Sequence, residues 1–464
     1  MPTARVLASL LARCAIAWLG LAGCSSLPTI DPDFAGPKRR AVLLEGAKGE
    51  LTAAQSKVVL DRLRSSSIAS NIFDRHLALE ETLVGTPLTT GNQVQLLQDG
   101  PTTYRAMFAA IRAAKDHINL ETYILDDDEI GQKFAQALID KQKKGVQVNI
   151  IRDSVGTLGT PTTFFKQLSD AGVNVLEFNP VNPLAARKTW ALNQRDHRKL
   201  LIVDGAMAFL GGINISSVYS GGSFGQRSRK ESEENLAWRD TDLQLQGPVV
   251  AEFQKLFLAT WEKQNGPPLA QKNYFPPPRN VGKQVVRAIG SSPTDPFSLI
   301  YATLLSAIGN AETSVFLTNA YFAPDPQLLA ALEAAAKRGV AVKLILPSQT
   351  DSWMVFHIGR GFYEQLLRAG VKIYERRDVI LHSKTALVDG VWATIGSTNL
   401  DWRSFLHNEE LNAVVLGTEF GSQVQAMFNK DLAASDEIML EQWLARPLDL
   451  RIKEMLARVW EYWL

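Results

Sequence analysis

Two short stretches carry residue types that could do chemistry together. HRKLLIVDG, residues 197–205, sets His197 two places before Lys199 and puts Asp204 beyond an apolar run. HSKTALVDG, residues 382–390, repeats the phrase with His382, Lys384 and Asp389. On a β-strand, residues i and i+2 face the same side. His197 and Lys199 therefore project together with Arg198 opposite, and His382 and Lys384 project together with Ser383 opposite. An imidazole beside an ammonium suits a phosphate. Lysine binds the non-bridging oxygens as a point charge, and histidine can attack phosphorus or move a proton. Neither task needs a metal. HExxH and paired CxxC are absent, and His76, His117, His357 and His407 are scattered, so neither a metal nor a cofactor is expected.

The two phrases are in register. His197, Lys199, Asp204, Gly211 and Asn214 map onto His382, Lys384, Asp389, Gly396 and Asn399 at one constant offset, 185 residues (382 − 197). Gly145-Val146 before a strand matches Gly339-Val340, and Ala171-Gly172-Val173 matches Ala369-Gly370-Val371. This is an internal repeat. Displacing an alcohol from a phosphodiester wants a nucleophile on one side of phosphorus and a general acid on the other. Two halves facing each other supply both. The histidines are then expected to hold opposite protonation states near pH 7, within reach of an unperturbed pKa of about 6.5.

The elements that must position these residues alternate. NQVQLLQDG, HINLETYIL, VQVNIIRD, VNVLEF, HRKLLIVD and MAFLGGIN read as strands, and TTYRAMFAAIRAAKD, DEIGQKFAQALIDKQKKG and TTFFKQLSDAG as helices. The pattern restarts with QVVRAIG, a helix from Phe297 to Ile308, TSVFLTNAYF, PQLLAALEAAAKRG, VAVKLILP, GFYEQLLRAG and VKIYE. Strands alternating with helices indicate an α/β fold with a largely parallel, buried sheet. GPPLAQKNYFPPPRN, with five prolines, is the linker at 266–280. Residues 50–83 carry a helical pattern expected to pack on the domain that follows.

At 464 residues the chain suits two domains. Its net charge of +1 gives no overall pull toward nucleic acid, which argues against, without excluding, a nuclease. The start, MPTARVLASLLARCAIAWLGLAGCSSLP, has Arg5 and Arg13 before a short apolar run and ends in LAGC. It resembles a bacterial lipoprotein leader, which implies cleavage before Cys24, lipidation of that cysteine, and anchoring on the periplasmic side of the envelope. Ser25 and Ser26 after the cysteine resemble outer-membrane sorting. Residues 24–84 then form a tether and helical extension. The end of the chain, LDLRIKEMLARVWEYWL, is amphipathic and reads equally as an interfacial helix or as one docked on the fold.

HxKxxxxDxxxxxxGGxN at 197–214 and HxKxxxxDxxxxxxGSxN at 382–399 resemble the paired signature of the phospholipase D superfamily. LETYI (120–124), AYFAPD (320–325), DS (351–352), AGVKIYE (369–375), IGSTNLDWRSF (395–405) and NEELN (408–412) are similar to bacterial cardiolipin synthases. The resemblance implies two tandem α/β/α halves, residues 85–265 and 281–464, forming a pseudo-two-fold single-chain dimer with the active site at their interface. It implies a monomer that acts on a phospholipid such as phosphatidylglycerol, with another phosphodiesterase of the superfamily as the alternative. His197 becomes the nucleophile and His382 the acid and then base. Lys199 and Lys384 hold the phosphate, with Asn214, Asn399 and Ser397 in support. Asp204 and Asp389 complete the catalytic set, ordering the loop behind the site. An acidic residue further along orients each histidine, and Asp240 and Glu410 are the candidates. The polar segment SGGSFGQRSRKESEEN (220–235) reads as a mobile loop near the mouth of the site.

Overall fold

In each HxK phrase the aspartate-glycine pair makes a turn. Asp204 and Gly205 have φ of 54° and 60°, and Asp389 and Gly390 have 51° and 68°. An N–H···O bond closes each turn, Ala206 to Val203 at 3.0 Å and Val391 to Val388 at 3.1 Å. Positive φ at both central residues matches the twist of a hairpin, and Asp-Gly tolerates it at low cost. Strands that turn back this tightly must pair antiparallel. The expected largely parallel sheet is therefore corrected to a mixed one.

The computed structural model describes residues 42–65, 71–182, 191, 193–221 and 236–458. The leader with Cys24, most of the 220–235 insertion, and Trp460, Tyr462 and Trp463 lie outside the described residues.

The first half runs β1 (Leu88–Leu97), α1 (Gly100–Ala113), β2 (His117–Thr122), α2 (Glu129–Gln142), β3 (Gln147–Asp153), α3 (Thr162–Asp170), β4 (Asn174–Phe178), β5 (Leu200–Val203), β6 (Met207–Gly211), β7 (Asp242–Gln246) and α4 (Val249–Lys263). The second runs β8 (Gln284–Ser291), α5 (Leu299–Asn310), β9 (Ser314–Asn319), α6 (Pro326–Lys337), β10 (Ala341–Pro347), α7 (Trp353–Arg360), α8 (Tyr363–Arg368), β11 (Lys372–Arg376), β12 (Lys384–Val388), β13 (Trp392–Gly396), β14 (Asn408–Leu416) and α9 (Thr418–Ala433), with a closing helix α10 (Leu448–Arg458). Asp99, Asp128 and Asp325 cap α1, α2 and α6 by accepting first-turn N–H groups. The repeated Gly145 and Gly339, at φ 84° and 90°, end α2 and α6.

In each half three strands are parallel, β2-β3-β4 and β9-β10-β11, and the others pair antiparallel. The order across the sheet is β4-β3-β2-β5-β6-β7-β1, then β8-β14-β13-β12-β9-β10-β11. The second series is the first reversed, and β1 pairs antiparallel with β8 at the centre. One continuous sheet thus has a pseudo-two-fold between β1 and β8. A core cluster containing Phe253, Phe257, Val286, Ile395, Val415 and Val424 draws from both halves.

The amino-terminal extension packs on both halves. Leu44, Ile72, Leu77 and Val84 cluster with Leu88 of β1 and with Ile308, Trp392 and Leu416 of the second half, and Leu44-Glu45 pair in parallel with Leu88-Thr89. A buried charge cluster ties it to the second half: Glu80 meets His76 at 3.0 Å, Arg287 at 3.0 Å and the Trp392 indole N–H at 3.2 Å. A buried carboxylate needs such partners, and the second half supplies two of the three, Arg287 and Trp392. Among the described residues no helix is long and apolar enough to cross a membrane.

Candidate active site

His197 and Lys199 lie just before β5, and His382 just before β12, which begins at Lys384. The regular ladder starts only there, so the paired residues sit at the sheet edge. Two-residue strand pairings hold the approach to each. Arg195-Asp196 pairs in parallel with Asn408-Glu409, and Trp238-Arg239 with Ile380-Leu381. Each pairing joins one half to the other. His197 N donates to Glu409 O at 3.0 Å, and His382 N to Arg239 O at 2.8 Å.

This crossing decides which carboxylate meets which histidine. Glu410 Oε1 lies 3.0 Å from His197 Nδ1, and Asp240 Oδ2 lies 2.6 Å from His382 Nδ1. Both candidate acids reach a histidine, each on the opposite half from its own. A carboxylate on Nδ1 fixes the ring and leaves Nε2 for chemistry.

Residues at equivalent positions treat the two acids differently. Gly212 has no side chain because the Asp240 carboxylate occupies that space: an added Cβ would lie 2.5 Å from Oδ2 and 2.7 Å from Cγ. At the matching position Ser397 donates its hydroxyl to Glu410 Oε2 at 2.5 Å and accepts from Leu411 N at 3.0 Å. Asn408 Nδ2 adds a bond to Glu410 Oε1 at 3.3 Å. Ser397 thus orients the glutamate.

The cleft is about 230 Å³ and is lined by both histidines together with Tyr123, Trp238, Tyr321, Asp351, Arg195 and Arg403. The Tyr123 ring meets His197 edge-on at 5.1 Å, and Lys199 Nζ lies 5.2 Å from its centroid. Trp238 packs on His382 at 5.0 Å. Tyr321 donates to Asp351 Oδ1 at 2.6 Å. Tyr123, Tyr321 and Asp351 stand inside the phrases LETYI, AYFAPD and DS, but no local spacing singled them out. Asn399 lines the cleft with its buried Oδ1 unbonded, whereas Asn214 is committed, donating to Tyr219 OH at 3.0 Å and accepting from Ile124 N at 3.1 Å. That tyrosine hydroxyl lies 3.3 Å from His382 Nδ1.

Asp204 and Asp389 do not join this group, and their placement in the catalytic set is corrected. They sit at the far end of β5 and β12. Asp204 accepts the N–H groups of Lys115, Asp116 and His117, and Asp389 those of Glu312, Thr313 and Ser314. They tie the hairpin turn to the start of the neighbouring strand. Arg198 does point away, as the alternation requires, donating to Glu409 Oε2 at 2.9 Å and Glu410 O at 3.1 Å.

Burial and the adjacent Lys199 lower the His197 pKa to about 4 against the pull of Glu410. Burial and Lys384 lower His382 likewise. Both imidazoles are pushed toward neutral, in contrast to the opposite states expected. Burial brings Lys199 down to about 7, with the Lys384 ammonium adding to the shift, and burial brings Lys384 down to about 8 against the pull of Asp240 and Glu410. Burial tends to raise Glu410, but the His197 charge and hydrogen bond, with Lys199, hold it at about 2. A phosphodiester anion set among two ammonium groups and two imidazoles relieves the repulsion and favours protonation of a histidine. Among the described residues no group of three or more His, Cys, Asp or Glu side chains could hold a metal ion.

A family model described as cardiolipin synthase, phospholipase D-like domain, matches residues 107–261 and 304–432. The chain is 35% identical over 385 residues to a cardiolipin synthase of Geobacillus sp. (strain WCH70), covering 82% of this chain and 74% of that one. It is 35% identical over 380 residues to the major cardiolipin synthase of Bacillus subtilis (strain 168), covering 80% and 75%. The phosphatidylserine synthase of Haemophilus influenzae Rd KW20 shares the fold, with a TM-score of 0.59 at 14% identity over 84% of this chain and all of that one. The Geobacillus and Bacillus relatives are Gram-positive proteins from cells that lack an outer membrane. That finding overturns the lipid-anchored, outer-membrane placement read from the leader.

Proposed function

Because this chain belongs to the phospholipase D-like cardiolipin synthase family and is a phosphatidyltransferase, we propose that it transfers a phosphatidyl group between glycerophospholipids, with phosphatidylglycerol as donor and acceptor. The observation that carries this reading is the two repeat histidines meeting in one cleft, each imidazole held at Nδ1 by the other half's carboxylate. His197 Nε2 attacks phosphorus as the bond to the leaving glycerol oxygen breaks, and His382 gives that oxygen its proton. The phosphatidyl group is then carried on His197. An acceptor hydroxyl next gives its proton to His382 and attacks phosphorus, forming the new diester and freeing His197. Lys199, Lys384 and Asn399 hold the non-bridging oxygens.

The difference between the two acids supports this division of labour. Glu410 shares its charge with Ser397 and Asn408, so it holds an imidazolium at His197 less strongly, and that ring stays a neutral nucleophile. Asp240 makes the shorter bond, 2.6 Å, to His382 and suits a ring that must carry a proton. The halves 85–265 and 281–464 act as one monomer, since a continuous sheet and a shared core already join them.

The test gives the purified protein labelled phosphatidylglycerol in mixed micelles and identifies the products by mass spectrometry. Cardiolipin and free glycerol are expected. Phosphatidic acid as sole product at every acceptor concentration would refute transfer. Cleavage of nucleic acid with no phospholipid turnover would move the activity to another branch of the superfamily.

A further inference from the structure

The loops that build the cleft also put large apolar side chains into solvent around its mouth. Leu158 is 72% exposed in the loop after β3. That loop packs so tightly on Tyr123 that a side-chain carbon at Gly156 would strike the tyrosine backbone. Val218, also exposed, adjoins Tyr219, whose hydroxyl touches His382. Trp353 is 58% exposed two residues beyond Asp351, on the other side of the pseudo-two-fold. Parallel strands end on one edge of a sheet, so the loops after β3 and β10 open on the edge that carries the cleft.

Trp353 also begins α7, and α10 packs on α7. A helix on a protein surface normally turns its apolar stripe inward. Here α10 does the reverse. Glu454 and Ala457 are its buried residues, whereas Leu448, Ile452, Met455 and Leu456 are exposed, Leu448 at 69% and Met455 at 62%. Their spacing puts them on one stripe, flanked on one side by the exposed Arg451 and on the other by Lys453, which lies 3.8 Å from the exposed Asp449. An apolar stripe edged with cations is the pattern of a helix lying in a lipid interface, where the cations meet anionic headgroups.

We infer that the apolar rim of the cleft and the outward face of α10 form one docking surface for an anionic lipid bilayer, which sets the cleft mouth down on the membrane. The occupant is lipid, because the surface is continuous with a cleft that takes a phosphate ester and the exposed charges edging the stripe, Arg451 and Lys453 against Asp449, are cationic on balance. This rests on the phospholipid reading given above. It supplies that reading with a way for a diacyl substrate to reach the histidines: the headgroup enters while the acyl chains stay in the bilayer.

The test compares the full-length protein with its Trp353→Glu, Met455→Glu and doubly substituted variants. All three change exposed residues outside the cleft. Co-sedimentation uses vesicles of phosphatidylglycerol and phosphatidylcholine in equal parts, and vesicles of phosphatidylcholine alone. Wild type is expected to bind the anionic vesicles more tightly. Each substitution is expected to weaken partition about tenfold, the scale for one large apolar side chain. Turnover of short-chain phosphatidylglycerol below its micelle concentration stays unchanged, while turnover of long-chain lipid in vesicles falls with binding. Wild type that ignores vesicles, or variants that bind as wild type does, would overturn the inference. So would light scattering in which the double variant splits a dimer with vesicle binding unchanged, since the face would then cover a second copy. Wild type that binds vesicles yet does not turn over the short-chain lipid would break the phospholipid reading and leave the docking surface standing.

Discussion

Gly212→Ala is the most informative single change in this molecule, because its effect should appear on a histidine of the other half. Gly212 belongs to the motif that begins at His197. The new Cβ would lie 2.5 Å from Asp240 Oδ2, and ordinary contact begins at 3.4 Å, so the carboxylate must retreat by about 1 Å (3.4 − 2.5). Asp240 holds His382, through a bond of 2.6 Å. A retreat of that size along the bond takes it to about 3.6 Å, beyond hydrogen-bond range. A charge-assisted hydrogen bond of this kind contributes roughly 1.5–3 kcal/mol, which is about a 10- to 150-fold change in rate if it acts on the transition state. The loss should fall on the proton transfers assigned to His382. Two substrates separate these: phosphatidylglycerol, whose glycerol leaving group needs a proton, and a p-nitrophenyl phosphodiester, whose leaving group does not. Gly212→Ala should slow the first by one to two orders of magnitude. It should leave the initial burst of nitrophenolate within a few-fold of wild type. Glu410→Gln, which acts on His197, should slow both. Equal loss on the two substrates with an unchanged melting temperature would refute the crossed assignment, and so would no loss on either.

Three further outcomes are expected. Acid-quenched reactions with labelled donor should place the label on a peptide containing His197; His197→Gln should carry none, His382→Gln should accumulate it from the nitrophenyl substrate, and a label on His382 would exchange the two roles. The kcat/KM profile should be bell-shaped: activity is gained above about pH 4 as His197 becomes neutral and lost as pH rises through about 7, where Lys199 and then Lys384 give up their charge and His382, itself shifted down from 6.5, has lost its proton; full activity persisting beyond about pH 9 would contradict the need for those cations. Asp389→Ala should lower the melting temperature, since three backbone N–H groups lose their acceptor at a cost of roughly 1–3 kcal/mol each in a buried setting; the folded fraction should keep kcat/KM within a few-fold, and a hundred-fold loss without destabilisation would return the aspartate to the catalytic set.

Much of the chemistry was legible in the amino-acid sequence because it is written locally. A histidine two residues before a lysine, twice at one offset, states both the functional groups and the need for two halves. Gly145 and Gly339 mark the repeat because a helix ends most cheaply in a left-handed residue. The Asp-Gly pairs likewise held turn information: the loop-ordering role of Asp204 and Asp389 was legible there, and reading the pairs as hairpins would also have forecast the antiparallel pairing of β5 with β6. What the tertiary structure alone decided is which groups meet. The crossed contacts of Glu410 with His197 and Asp240 with His382 depend on two-residue pairings between halves, Arg195-Asp196 with Asn408-Glu409 at the start of β14 and Trp238-Arg239 with Ile380-Leu381. Such pairs are too short to leave a periodic trace and too distant in sequence for local propensity to report. The same holds for Glu80, which draws the amino-terminal extension to Arg287 and Trp392, and for Tyr123 and Trp238, ordinary strand-end aromatics until the fold sets them against the two histidines. Local sequence fixes backbone geometry and functional-group type, whereas partner choice among buried charges follows from desolvation in the folded chain, where an ionised group must find a counterpart wherever the packing offers one.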